Sequence, residues 1–473
     1  MKQQRLRFRM MALFLIILLA VAGAYGVYSV STYGSRWFGS SHNTRYRAAK
    51  KTVIPGKILD RNGVVLASAD SEGKRTYPTG VHTRCAMVHV VGDPNGYVAN
   101  TVDSFQASYL WGFETSLRER IQALITGEKR RGDNVTITVD STLQTNIAAA
   151  FNTLENSRGK AGAAVVMNYR TGEVLALLSV PTFDPLGELS VAENDPLKPF
   201  WNRALKTRQA PGSTFKIITT VSVLQNLPNA TEHQFDCTTG ATLIMDNIIR
   251  DHSYAHHDWI KLDRAFRVSC NNAFAQAALL VGDKNLRKTA EDFGFNDNFL
   301  FRDLVVENSL YPTKNRNDFE VAWSGVGQSQ VIATPMHMCM VAAAIANDGV
   351  MMEPRLIKEI VSPTGMQRQP FTSKVYTTAC DSAVAAQVET YMKDVVKNGT
   401  GKSAAVDGFS IAGKTGSAEG NEDGHYLTHA WFVGYIDDPA YPYAVCVFVE
   451  KGESGGSAAA PIAGEIFRWL TEK

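Results

Sequence analysis

The stretch Ala210-Pro-Gly-Ser-Thr-Phe-Lys-Ile-Ile218 is the part of the chain around which the rest is organised. Its Pro-Gly pair breaks regular structure, and apolar residues then recur at helical spacing: Ile217, Ile218, Val221 and Leu224. The pattern predicts a loop that delivers Ser213 to the first turn of an apolar helix. Because residues three apart share a helix face, the Lys216 ammonium is expected beside the Ser213 hydroxyl. A serine is a weak nucleophile until a neighbour takes its proton, so the pair is a candidate nucleophile and base.

Two later clusters support this interpretation. Ser269-Cys-Asn271 precedes a predicted helix and supplies a second hydroxyl, for proton transfer, and an amide, for substrate binding. Lys414-Thr-Gly-Ser417 ends an apolar segment that is predicted to be a strand. A strand edge can pair with an extended peptide, its glycine permits close approach, and its lysine and hydroxyls can hold a carboxylate. Each cluster alone also occurs as a helix cap or a turn. That all three clusters occur in this order by accident is improbable.

The composition is that of a folded protein with more than one domain. The 473 residues are 45% hydrophobic and 20% charged, which is enough for a large core and predicts two domains. Lys and Arg number 48 against 46 acidic residues, and this net charge of +2 argues neither for nor against a nucleic-acid partner. No nucleic-acid partner is expected. The six cysteines lack Cys-x-x-Cys spacing, which argues against a zinc ribbon. They could pair in an exported chain, but the apolar neighbours of Cys339 and Cys446 favour buried thiols.

The N-terminus has the pattern of a membrane anchor. Residues 1–9 carry four basic residues and no acid, and residues 10–30 carry no charge, a length that can cross a bilayer at about 20 residues. Ala22-Gly-Ala24 resembles a signal-peptide cleavage site, but the apolar run continues past it and favours an uncleaved anchor. Basic residues are nearly balanced across the segment. A short tail that stays in the cytoplasm while a large domain is exported is the expected outcome.

The remaining chain is predicted to form two modules of an α+β protein. Residues 31–134 form a small, mostly β pedestal, in which Asn62-Gly63 marks a hairpin turn. Residues 135–473 form the main domain, with hairpins over 161–180 and 430–450, helices between them and a closing helix over 461–470. This order predicts an antiparallel sheet assembled from both chain ends, flanked by helices, with an all-helical part between.

The three motifs resemble the Ser-x-x-Lys, Ser-x-Asn and Lys-Thr-Gly signatures of penicillin-binding proteins and serine β-lactamases. Within that group the chain looks like a class B penicillin-binding protein. Further segments that look like this class are Pro55–Gly63, Gly172–Ala176, Ser179–Pro185, Gly325–Gln328, Ala333–Pro335 and Ala430–Gly434. The chain departs from the family in two ways. Ser417 stands where the family more often has threonine, and the segment before the main domain is short for the class.

The resemblance implies roles for four residues of the first two motifs. Ser213 is the nucleophile that becomes acylated, and Lys216 is its general base, although the sequence leaves open whether another group takes the first proton. Ser269 relays the proton to the leaving amine. Asn271 hydrogen-bonds an amide of the substrate.

The third motif is implied to bind the end of the substrate. Lys414 supports the proton relay and, with Thr415 and Ser417, binds the terminal carboxylate, while Gly416 lets the substrate approach closely. The backbone amides of Ser213 and Ser417 form the oxyanion hole. Removing one such donor typically slows a reaction about 100- to 1000-fold.

The implied activity is that of a peptidoglycan D,D-transpeptidase on the outer side of a bacterial cell membrane. It attacks stem peptides that end in D-Ala-D-Ala, releases D-Ala, passes the acyl group to an amine, and is inhibited covalently by β-lactams. No cofactor is expected. No glycosyltransferase segment is recognisable, so a membrane polymerase of the shape, elongation, division and sporulation family is an expected partner. Alternatives are a D,D-carboxypeptidase or β-lactamase, or a non-catalytic β-lactam sensor or scaffold, for which the nine residues before the anchor leave no room for a signalling domain.

Two other segments carry weaker patterns. Asp251-His252-x-x-x-His256-His257-Asp258 has residues that bind zinc, but its surroundings lack a clean helical period, and no metal is expected. The glycine-rich segment 452–457 is predicted to be a flexible loop near the site rather than a phosphate-binding loop.

Overall fold

The computed structural model describes residues 2–38, 48, 52–127, 129–251, 255–314, 316–422 and 425–472, which form an α+β protein. Its strands are β1 (Val53–Ile54), β2 (Ile58–Leu59), β3 (Val65–Ala69), β4 (Arg75–Thr76), β5 (Arg130–Arg131), β6 (Asn134–Ile137), β7 (Gly162–Asn168), β8 (Val174–Val180), β9 (Gln234–Cys237), β10 (Ala241–Ile244), β11 (Asn247–Arg250), β12 (Asp258–Lys261), β13 (Val350–Met352), β14 (Ile357–Val361), β15 (Gln367–Pro370), β16 (Val375–Thr378), β17 (Ile411–Glu422), β18 (His425–Ile436) and β19 (Tyr443–Val449).

The α-helices of the described residues alternate with these strands. They are α1 (Lys2–Phe38), α2 (Val81–Val91), α3 (Val102–Phe105), α4 (Ala107–Leu110), α5 (Leu117–Thr126), α6 (Ser141–Thr153), α7 (Leu189–Glu193), α8 (Arg203–Lys206), α9 (Lys216–Asn226), α10 (Leu262–Val268), α11 (Asn271–Val281), α12 (Asp283–Asp292), α13 (Asp318–Gly325), α14 (Pro335–Ala346), α15 (Ser382–Asn398) and α16 (Ala460–Thr471). Short 3₁₀ turns cover Gly212–Phe215 and Lys402–Ala404, and a π-helical turn covers Gly455–Ala459.

An antiparallel five-stranded sheet, in the order β17-β18-β19-β7-β8, forms the centre of the main part of the chain. The predicted hairpins are present as β7–β8 and β18–β19, and the sheet is assembled from both chain ends, as expected. Alternate side chains of β7 pack into two different hydrophobic cores, since successive residues of a strand face opposite sides of the sheet. Val165 packs in the core that contains α14, and Val166 packs in the core that contains α6 and α16.

Strand β17 is the edge of this sheet on the side of the Ser213 turn. It pairs with β18 along its whole length, with Lys414 opposite Val433 and Ser417 opposite Ala430. The turn Gly212–Phe215 packs against β17, and α15 also contacts it. This packing holds the first and third sequence motifs against each other.

The segment between the hairpins is mostly helical, with α9 to α14 as its main elements. Unlike the expected all-helical arrangement, it also contains the strands β13 to β16 after α14. Between α9 and α14 themselves lie two short antiparallel pairs, β9 with β12 and β10 with β11. Their strands are only four residues long, which leaves too little alternation for a sequence pattern to reveal.

The N-terminal strands share a sheet with later ones. A six-stranded sheet runs in the order β15-β14-β6-β2-β3-β4. The predicted Asn62-Gly63 hairpin joins β2 and β3, while β6 lies parallel to β2 and antiparallel to β14. The expected boundary between residues 134 and 135 falls within β6, so the strand links the two predicted modules.

Helix α1 contains a segment that is long and apolar enough to cross a membrane. This segment, Gln4–Val30, has a mean hydropathy of 2.5, and its most apolar window is not buried by the described parts of the chain. A signal sequence has the same length and composition. The predicted anchor, residues 10–30, lies inside this helix, and most of the connector that follows, over 39–51, lies outside the described residues.

Candidate active site

Ser213 lies on a tight turn that directly precedes an apolar helix. The residues Gly212–Phe215 form a 3₁₀ turn, and α9 begins at Lys216, one residue after it. The sequence placed Ser213 in the first turn of the α-helix itself, and the structure places it just before. Gly212, with a φ of 53°, donates its N–H to the Gly327 carbonyl at 2.9 Å. Since Ser213 alone in this turn is partly exposed, its hydroxyl is the group that the turn presents to solvent.

Lys216 is completely buried and points to the second motif. Its Nζ donates to the Ser269 carbonyl at 2.6 Å and to Asn271 Oδ1 at 2.8 Å, and lies 3.3 Å from Ser269 Oγ. In the part of the chain that the structure describes, these bonds, rather than one to Ser213, hold the ammonium. Burial lowers the pKa of Lys216 to about 8, against the opposing effect of the Asp251 charge. The neutral amine is therefore accessible near physiological pH.

Ser269 connects both lysines. It ends α10 with a φ of 61°, a left-handed conformation that is uncommon for serine. Lys414 Nζ donates to Ser269 Oγ at 2.8 Å and to the Thr415 carbonyl at 3.1 Å. Burial holds the pKa of the Lys414 ammonium well below its usual range, and the nearby Lys216 charge adds to the effect. Three sequence motifs that lie far apart in the chain thus meet at one hydroxyl.

The third motif lines the site from the edge of the sheet. Thr415 Oγ1 lies 2.5 Å from Thr400 Oγ1, and Ser417 Oγ accepts a bond from the Gly455 amide at 3.2 Å. A Cβ on Gly416 would lie 2.8 Å from the Pro211 carbonyl oxygen, closer than real contacts allow. Gly416 is therefore required for β17 to pack against the turn that carries Ser213.

These motifs surround a cavity of about 610 Å³. Glu453, Ser454 and Gly456, from the segment predicted as a flexible loop near the site, line this cavity. The location was predicted correctly, but Gly455–Ala459 is a helical turn that continues into α16 rather than a flexible loop. Sequence reasoning did not single out several lining residues as site residues: Thr400, Trp323, Glu419 and Thr428. Thr400 carries no sequence signal because it reaches the cavity only through the fold.

Asp251 is another residue whose position sequence reasoning did not foresee. Its buried carboxylate accepts a bond from the backbone amide of Asn271, and the Asn272 side chain donates to it at 3.2 Å. The carboxylate therefore fixes the start of α11, where the second motif lies. A buried acid before a helix N-terminus stabilises that terminus electrostatically.

The structure brings together only some of the possible metal ligands in the segment from Asp251 to Asp258. His252 lies outside the described residues, His256 Nδ1 lies 2.9 Å from the Thr238 carbonyl, and Asp258 is exposed in β12. Of the described members, Asp251 and His257 come together, with 3.1 Å between Oδ2 and Nδ1.

With the geometry established, comparison with known proteins identifies the family. The penicillin binding protein transpeptidase domain matches residues 162–468, which include all three motifs. The chain belongs to the penicillin-binding-protein transpeptidase family. The resemblance to class B penicillin-binding proteins is thereby confirmed.

Relatives of this family match over most of the chain. Peptidoglycan D,D-transpeptidase PbpA of Mycolicibacterium smegmatis is 28% identical over 95% of both chains. The protein of the same name from Mycobacterium tuberculosis is 31% identical over 73% of this chain and 74% of its own. Penicillin-binding protein A from M. tuberculosis, solved as a ceftriaxone acyl-enzyme, superposes with a TM-score of 0.81 and 26% identity over 89% of this chain and 99% of its own. The predicted penicillin-binding fold is confirmed by this match.

Proposed function

We propose that the chain is a peptidoglycan D,D-transpeptidase that works through a serine acyl-enzyme. The observation that carries the proposal is that Ser213, Ser269 and Asn271 line one cavity beside an edge strand. Lys216 bonds Ser269 and Asn271, and Lys414 bonds Ser269, so both buried lysines join this group. Relatives that match most of the chain bear this activity in their names. A related structure holds a β-lactam as an acyl-enzyme.

In the proposed acylation step, the Ser213 Oγ bonds to the carbonyl carbon of the penultimate D-Ala. A neutral lysine amine has two N–H donors and one lone pair. In Lys216, the two donors are matched by the Ser269 carbonyl and Asn271 Oδ1, so the lone pair is left to receive a hydroxyl proton. Oγ transfers its proton to Nζ as the C–O bond forms. The carbon then carries an oxyanion, which the backbone amides of Ser213 and Ser417 stabilise.

In the next proposed step, Ser269 protonates the leaving group. The C–N bond breaks, and the Ser269 hydroxyl gives its proton to the D-Ala nitrogen while it takes the one that Lys216 holds. Lys414, 2.8 Å from Ser269 Oγ, orients this hydroxyl and stabilises its charge during the transfer. Attack by an amine of a second stem peptide then reverses the sequence: a new amide forms, and Ser213 regains its proton.

The donor peptide is proposed to lie along the edge of β17. An extended chain can add to an open strand edge through backbone hydrogen bonds. Thr415 and Ser417 face the cavity and can bind the terminal carboxylate together with the Lys414 charge. Asn271 can hold an amide of the stem from the opposite wall.

The architecture is proposed to place this site outside the cell. Residues 1–9 would remain in the cytoplasm, 10–30 would cross the membrane, 31–134 would form the pedestal, and 135–473 would form the transpeptidase domain. The apolar helix Gln4–Val30 supports a single-pass anchor. Since the proposed activity makes cross-links and not glycan strands, a membrane polymerase of the shape, elongation, division and sporulation family is the proposed partner.

Labelling with fluorescent penicillin tests this proposal. We expect the purified full chain to form a covalent adduct that persists for many minutes after free drug is removed. Ser213→Ala should form none, whereas Ser190→Ala, on the exposed surface of α7, should label normally. A persistent adduct on the Ser213→Ala variant would overturn the nucleophile assignment.

The lifetime of the adduct distinguishes the alternatives. Rapid loss of label with turnover of the drug would indicate a β-lactamase. Release of D-Ala from a stem peptide without formation of an amine-linked product would indicate a carboxypeptidase. No labelling of the folded native chain would favour a non-catalytic scaffold.

A further inference from the structure

Four side chains with metal-binding atoms converge behind the second motif. Cys237 Sγ lies 3.3 Å from Cys270 Sγ, Cys270 Sγ lies 3.0 Å from Asp251 Oδ2, and His257 Nδ1 lies 3.1 Å from the same oxygen. The donor atoms of Asp251, His257 and Cys270 are all within 4.8 Å of one another. A thiol, an imidazole and a carboxylate therefore surround one point, and the Cys237 thiol lies against the Cys270 thiol at its side.

The fold brings these residues together from the ends of four elements. Cys237 ends β9, Asp251 follows β11, His257 precedes β12, and Cys270 is the residue before α11. The pairing of β9 with β12 sets Cys237 beside the start of β12. Two members belong to the histidine-rich segment noted in the sequence, but both cysteines come from outside it.

We infer that Cys237, Asp251, His257 and Cys270 bind a divalent transition metal ion, with zinc as the ion that fits best. Thiolate, imidazole and carboxylate are all zinc ligands, whereas magnesium and calcium take oxygen ligands. In a tetrahedral zinc site, bonds of about 2.0–2.3 Å put neighbouring donors about 3.3–3.8 Å apart. The three contacting pairs, 3.0–3.3 Å apart, need to open by only a few tenths of an ångström, and the Cys237 side chain would turn toward the ion to complete the set.

Burial favours an ion at this point. Cys237 and Cys270 have no exposed surface, and Asp251 is 4% exposed. The Asn271 amide and the Asn272 side chain donate to this carboxylate, and a divalent ion would supply the positive charge that neutral donors do not. Asp251 and His257 also line the wall of the active-site cavity, which gives an ion a route to the site.

The neighbouring β10–β11 hairpin has little apolar core of its own. The cluster beneath the β10–β11 hairpin contains four buried residues: Ile244, Ile249, Ala275 and Ala322. The hairpin exposes Leu243, Met245 and Ile248. A structural metal supplies folding free energy where an apolar core is small. The ion would therefore fasten the two short strand pairs to α11.

The same ion would hold the second motif in place without taking part in the acyl transfer. Cys270 is the residue between Ser269 and Asn271, and Asp251 accepts the Asn271 amide. An ion that fixes Cys270 and Asp251 would therefore also fix Ser269 and Asn271, the two residues on either side of Cys270. This inference replaces the expectation from sequence that the chain binds no metal, and it holds whether or not the proposed transpeptidase activity is confirmed.

Metal content and cobalt spectroscopy test the site directly. The full chain, purified in detergent without chelator or reductant, should contain about one zinc ion per chain. After exchange, cobalt should give thiolate-to-metal charge-transfer absorption in the near ultraviolet and the visible bands of a tetrahedral ion. Both measurements use the native chain, so they do not depend on whether a variant folds or labels with penicillin.

Variants then assign the ligands. Cys237→Ser and His257→Asn should each weaken zinc binding by about 100-fold or more, and Cys237→Ser should reduce the charge-transfer band. Matched controls are Cys339→Ser, a buried thiol on α14, and His256→Asn, the neighbour of His257. Neither control should change the affinity.

Three outcomes would overturn the site. The first is less than about one ion per ten chains after dialysis against zinc. The second is a Cys237–Cys270 disulfide in the mass of the chain purified without reductant. The third is cobalt absorption that is equal in the ligand variants and the controls.

Discussion

Lys414 Nζ donates a 2.8 Å hydrogen bond to Ser269 Oγ. Lys216 Nζ lies 3.3 Å from the same oxygen, so one hydroxyl links the lysines of the first and third motifs. Burial favours loss of a proton from the Lys414 ammonium, and repulsion from the nearby Lys216 charge adds to this effect. The arrangement explains how a serine hydroxyl can be activated here without a histidine.

Acylation should depend on pH through Lys216. Its pKa is lowered to about 8 by burial, and only the neutral amine can accept the Ser213 proton. Below this pKa the neutral fraction falls about tenfold per pH unit, so the acylation rate should rise with pH and level off above about 8. Stopped-flow measurement of penicillin acylation from pH 6 to 9.5 checks this. A flat profile would exclude Lys216 as the base.

Ser269→Ala should slow acylation by about 100- to 10,000-fold because the proton relay to the leaving nitrogen is lost. Folding should persist, since the change removes a single oxygen. Ser410→Ala, an exposed serine just before β17, is the matched control. An acylation rate within about threefold of wild type would show that the relay runs through another group.

Gly416→Ala should damage the site through geometry. The added Cβ would meet the Pro211 carbonyl oxygen at 2.8 Å and the Thr214 amide at 3.2 Å, both rigid backbone atoms. We expect a loss of about 1–3 kcal/mol in stability together with slower penicillin labelling. In the control Gly420→Ala, the nearest atom is the flexible Leu427 Cδ1 at 3.1 Å. Equal effects in the two variants would contradict the explanation.

Thr400→Val should weaken substrate binding more than it slows chemistry. The Thr400 hydroxyl is 2.5 Å from that of Thr415 and orients it toward the cavity, but it does not contact the lysines. The concentration dependence of acylation should show a several-fold weaker apparent dissociation constant and a nearly unchanged limiting rate, since one hydrogen bond contributes about 1 kcal/mol. Thr390→Val, on the exposed face of α15, is the control. A fall in the limiting rate alone would assign Thr400 a catalytic role.

Arg368→Met should destabilise the link between the N-terminal strands and the rest of the chain. Arg368 bonds Asp133 at 2.9 Å and Glu119 at 2.9 Å, and Asp133 is completely buried. Removing the guanidinium leaves that carboxylate buried and unpaired, a change that costs about 3 kcal/mol. Thermal unfolding followed by circular dichroism should begin at a lower temperature than in Arg170→Met, a surface control. No difference between them would show that the pair contributes little.

The sequence predicted most of what is local. The hairpins β7–β8 and β18–β19 and the helix that begins at Pro335 follow from alternation, caps and turn residues. The three motifs were recognised by their residue types and their order. Contacts between distant segments could not be derived in this way. Lys216 was expected beside Ser213 because of their spacing, yet its long side chain bonds Ser269 and Asn271, over 50 residues away. Spacing fixes the face of a helix but not what a flexible side chain reaches.

The metal-binding cluster shows the same limit. Asp251 and His257 were visible as a cluster in sequence, but Cys237 and Cys270 are 33 residues apart and show no ligand spacing. Two four-residue strands bring them together, and such strands are too short to predict. The missing information was the pairing of those strands.

The six-stranded sheet that joins β14 and β15 to the N-terminal strands also limits how the chain can be shortened. A catalytic fragment that begins at residue 135 would lose β2 from one side of β6. The backbone N–H and C=O groups left bare there form an open edge, which invites pairing with another copy. We therefore expect soluble, monomeric fragments to begin before β1 and not at the start of the transpeptidase domain.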